Sequence, residues 1–72
     1  MPTHNLLITE KEIELLANLT LAMRTEDPNK KYMASKALEK IGISTFKAII
    51  MLCNSDISRM VAEEICKRKE TP

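Results

Sequence analysis

Apolar residues recur along this chain every three or four positions in four separate blocks, the spacing that sets one stripe of a helix against a core. The first block holds Leu15, Leu16, Leu19, Ala22 and Met23, widened by Ile13 and Leu21. It follows Thr9-Glu10-Lys11-Glu12, a capping box in which the threonine hydroxyl and the Glu12 carboxylate satisfy each other's backbone amides. Ile8 and Ile13 occupy the two places of a hydrophobic staple around that cap. Arg24 to Pro28 closes this helix and opens a second, with Asp27 as N-cap and Pro28 at the first helical position, where a missing amide proton costs nothing. The second helix, to about Ile41, carries Met33, Ala34, Ala37, Leu38 and Ile41 on one face and Lys30, Lys36, Glu39 and Lys40 on the other. Gly42 suits the left-handed residue that ends it, and Ile43 the apolar contact that folds back.

Ser44 caps a third block, Phe46 to Cys53, almost continuously apolar apart from Lys47. Ile49 and Ile50 favour a strand, yet a single strand has nothing to pair with, so the block reads as a central helix. Asn54-Ser55-Asp56 breaks the chain again, and a fourth helix runs to about Lys69 with Ile57, Met60, Val61 and Ile65 inward. Lys67-Arg68-Lys69 falls in its last turn, where positive charge complements the helix dipole. The pattern predicts an all-α fold, a compact bundle of four short helices. A flexible arm over residues 1–8 precedes the single domain at 9–69, and a tail follows at 70–72.

Composition sharpens this picture. One glycine and three prolines in 72 residues leave almost no turn chemistry for β-hairpins. With 44% apolar and 29% charged residues the chain belongs to the globular class rather than the disordered one. Its size leaves a modest core that a partner subunit would reinforce. The net charge of +1 gives no overall field toward nucleic acid or an anionic membrane. The charge is unevenly spread: residues 1–27 hold two basic and five acidic side chains, residues 28–47 five lysines and one acid. No secretory signal and no apolar run long enough to span a bilayer are present, so a reducing, cytoplasmic setting is expected, with no membrane partner.

Chemistry-bearing constellations are sparse. Catalysis of the common kinds needs a nucleophile beside a base, a carboxylate pair in a cleft or a metal cage. One histidine, His4, and two cysteines with no zinc-like spacing supply none of these, so no catalytic, cofactor or metal residue is assigned. Cys53 and Cys66 lie in apolar helical patterns and read as small core hydrophobes; Met23, Met33, Met51 and Met60 read as core filler. Glu63 and Glu64 diverge on a helix and read as solvated. The candidate partner-binding residues are Lys30, Lys36, Lys40 and Lys47, an electropositive patch for an acidic protein surface.

The segment Asp27-Pro28-Asn29-Lys30-Lys31-Tyr32-Met33-Ala34-Ser35-Lys36-Ala37-Leu38-Glu39-Lys40-Ile41-Gly42, with the apolar helix after it, resembles a HEAT or armadillo-like helical repeat. Arg59-Met60-Val61-Ala62 echoes Lys31-Tyr32-Met33-Ala34 as the start of a second copy. The resemblance covers about residues 13–69, one and a half to two units. It implies crossed helical hairpins and an adaptor without chemistry, binding another protein through a helix face, with self-association to a homodimer a further expectation. The alternative is a helix-turn-helix, for which Leu38, Ile41 to Ser44, Ala48 and Met51 occupy the apolar and turn places. Against nucleic acid, the positions that should offer polar groups to base edges hold Ile49 and Ile50.

Overall fold

The structure, a computed structural model, describes residues 8–70, apart from the side chain of Glu70. The expected arm therefore lies outside the described residues except for Ile8, and the tail outside them except for the helical backbone of Glu70. Four helices follow in order: α1 (Glu10–Met23), α2 (Pro28–Lys40), α3 (Thr45–Leu52) and α4 (Ser55–Glu70). No strand occurs among the described residues. The all-α bundle expected from the periodicity is the fold observed.

Each helix begins where a side chain satisfies its orphan amides. Thr9 Oγ1 accepts from the Glu12 amide at 3.1 Å while the Thr9 amide donates to Glu12 Oε1 at 2.8 Å, and Ile8 and Ile13 both pack on the core. Asp27 Oδ1 accepts from the Asn29 amide at 2.9 Å, and Ser44 Oγ from the Lys47 amide at 3.1 Å. Asn54 Oδ1 accepts from the amides of Asp56 and Ile57 at 2.9 and 3.2 Å, which fixes the start of α4. At the end of α2, Gly42 takes φ 86°, the Ile43 amide reaches back to the Leu38 carbonyl at 2.9 Å and the Gly42 amide to Glu39 at 3.0 Å. These two bonds are a Schellman motif, and buried Ile43 is its apolar contact.

The helices close a ring, α1 against α2, α2 against α3, α3 against α4, and α4 back onto α1. The two contacts made by α1 are much the largest. Among the described residues the core consists of twelve, five of them on α1: Leu15, Leu16, Ala17, Leu19 and Ala22. Leu16 and Leu38 are its largest fully enclosed side chains. A single arginine ties α4 to α1. Arg68 Nε pairs with Glu64 Oε2 at 3.0 Å, Nη1 donates to Asn18 Oδ1 at 2.7 Å, and Nη2 donates to the Glu14 carbonyl at 3.2 Å. Arg68 thus serves as a bridge between helices in addition to adding positive charge near a helix end.

Several inward assignments are corrected. Met33 is 68% exposed and Ile41 is also exposed, because the apolar sector of α2 is wider than its buried strip, which is Ala34 and Leu38. Met23 and Met60 are exposed and Met51 is half-buried, so the methionines line surfaces instead of filling the core. Both cysteines are exposed thiols. The largest departure is α3, expected to be central: only Ala48 is buried, since a short helix closing the ring offers the core one narrow side.

Candidate interaction surface

Six of the eight residues of α3 are apolar, and the helix turns three of them outward. Ala48 seats the helix, with Met51 and Leu52 packed half-buried beside it. On the opposite side, Phe46, Ile49, Ile50 and Cys53 stand at i, i+3, i+4 and i+7 and so share one face. Phe46 is 75% exposed, Ile50 53% and Ile49 44%. Contiguous apolar side chains on that scale are uncommon on a surface with no partner.

The four lysines singled out from the sequence are all exposed, but they do not form one patch. Lys11, Lys36 and Lys40 line a groove between α1 and α2, with exposed Tyr32, Met33 and Ile41 beside them and Leu15 and Ala37 deeper in it. Lys36 Nζ lies 5.8 Å from the centre of the Tyr32 ring, within cation–π range, and 3.5 Å from Glu39 Oε1. Lys30 borders a different depression, beside Asn18, Leu21 and Thr25. Lys47 sits on α3 and lines neither.

Sequence reading missed an acidic counterpart. Glu10 and Glu14 of α1 and Glu63 and Glu64 of α4 rim a second groove, with Ile13 and Met60 in it and Lys67 among them. Glu10 and Glu14 are a turn apart, which a charge pattern along α1 would have shown; their meeting with Glu63 depends on the packing of α1 on α4. Among the described residues, no three His, Cys, Asp or Glu side chains gather as a metal site requires, and no helix is long and apolar enough to cross a membrane. Compared with protein-family models, curated proteins and solved structures, the chain matches none.

Proposed function

We propose that this chain is a small non-catalytic protein-interaction module, an adaptor whose principal docking face is the outward stripe of α3. The observation that carries this reading is Phe46, three-quarters exposed on a helix beside Ile49 and Ile50. Phe46 alone leaves on the order of 150 Å² of apolar surface in water, and covering it is worth about 4 kcal/mol. A partner helix or groove that accepts residues at i, i+3 and i+4 suits this face. The lysine-rimmed groove, with Lys36 and Lys40, serves an acidic protein surface, and Lys30 and Lys47 extend the basic side. The crossed-hairpin likeness to HEAT or armadillo units belongs to the same reading, as does a cytoplasmic, reducing setting suited to two exposed thiols.

The test is crosslinking of the tagged chain in its native cell, wild type beside Phe46→Glu and Ile50→Glu. Partners lost from both variants, with helical content unchanged, support the reading; an unaltered set of partners removes it. One observation keeps the helix-turn-helix alternative in view: the Gly42 turn joins α2 to α3 with Leu38 and Ala48 both buried, as that motif requires. Retardation of duplex DNA at low salt, lost on Lys47→Glu, would favour it over the adaptor.

A further inference from the structure

The two charged grooves lie at the same height on opposite flanks of α1. Glu10, Ile13 and Glu14 face the acidic groove toward α4, and Lys11 and Leu15 face the basic groove toward α2. Between them α1 keeps an exposed ridge that includes Lys11, Glu14 and Asn18. We infer that a second copy of this chain docks on this face, the acidic groove of each copy over the basic groove of the other.

The charges select the symmetry. A two-fold axis lying in the contact plane and parallel to α1 carries the left flank of one copy onto the right flank of its partner, so unlike lips meet twice. An axis perpendicular to α1 in that plane would set glutamates on glutamates and lysines on lysines, which repel. The favoured arrangement is isologous and closed, so it stops at a dimer. Both lips keep their sign after internal pairing: Lys36 shares its charge with Glu39, while Lys11 and Lys40 remain on that rim. Arg68 takes up Glu64, while Glu10, Glu14 and Glu63 outnumber Lys67 on the other. Tyr32, Met33 and Met60 supply apolar contact across the seam. The α3 stripe has no part in this contact, so a dimer would present two such faces.

This inference rests on the reading of the chain as an interaction module, but on a different surface, so the two fail separately. Sedimentation equilibrium over a concentration series is the experiment, with wild type, Lys36→Glu/Lys40→Glu, Glu10→Lys/Glu63→Lys, an equimolar mixture of the two double variants, and Phe46→Glu. The wild type is expected to dimerise with a dissociation constant on the order of 10 μM, the range of a modest interface. Raising the salt from about 0.05 to 0.5 M should weaken it roughly tenfold, since both lips are solvent-exposed. Each double variant alone should be monomeric, and their mixture should regain the wild-type dimer, because unlike charges then meet on both flanks, reversed lip against reversed lip on one and native against native on the other. Phe46→Glu should dimerise like the wild type. A wild type that stays monomeric at millimolar concentration overturns the inference. So does a dimer indifferent to both charge reversals, or one abolished by Phe46→Glu alone.

Discussion

α1 and α3 are both rich in apolar residues, and they use them in opposite ways. α1 intersperses its leucines with Glu12, Glu14, Asn18 and Thr20, yet it supplies five core residues and lies between α2 and α4. α3 is the more apolar helix by composition, but it buries one alanine and leaves Phe46, Ile49 and Ile50 in water. Position in the ring, and not hydrophobicity, decides burial here. α1 packs broadly against both of its neighbours and hides its stripe, whereas α3 touches α2 and α4 only lightly and hides a single edge. The surplus on α3 is therefore available for something outside the fold.

The contrast is broken most severely at Leu16. Leu16→Ala empties a fully enclosed site and should cost about 3 kcal/mol. A domain of this size holds on the order of 4 to 10 kcal/mol, so urea denaturation should show the variant near its limit. If Ile50→Ala costs as much, the distinction between the two helices is wrong. Arg68→Ala comes next, with a loss of about 1–2 kcal/mol in the same measurement, because it removes the two hydrogen bonds that tie α4 to α1 and the ion pair with Glu64 within α4. Arg68→Lys should recover only part of this, since an ammonium cannot reproduce the forked geometry.

Gly42→Ala should cost about 1 kcal/mol through backbone strain alone. Its φ of 86° disfavours any side chain, although an added Cβ meets nothing within 4 Å. The thermal midpoint should fall by several degrees with no change in the helical circular dichroism at 20 °C, a temperature well below the transition. The smallest effect is expected at Phe46. Phe46→Ser should shift stability by less than about 0.5 kcal/mol, because the ring has little folded environment to lose. The solubility limit should rise, as measured by light scattering after concentration. A large loss of stability instead would mean that α3 needs its outer face for folding.

The helix boundaries were legible because their signals are local. Thr9 with Glu12, Asp27 with Pro28, Ser44, and Gly42 with Ile43 each act within a few residues of the backbone groups they satisfy. What lay hidden depends on distant packing. In a run such as Phe46 to Cys53 every sector is apolar, so periodicity has no phase with which to say that Ala48, the smallest residue in it, faces inward. Met33 stays outside for a related reason, since a wide apolar sector on α2 meets a narrow contact. The Arg68 bridge joins residues 50 and 54 positions apart. No spacing rule reaches that far. Of the candidate site, the lysines are visible in the sequence and all are exposed, but their division between separate depressions follows only from the fold.

The twelve core residues are alanine, leucine, isoleucine and valine, while Met23, Met33, Met60 and both cysteines stand outside. Peroxide would therefore reach sulfur without having to open the interior, turning thioethers into polar sulfoxides on the outer walls while the hydrocarbon centre stays chemically inert. Oxidative injury to this molecule should be felt first as altered stickiness and only much later as unfolding.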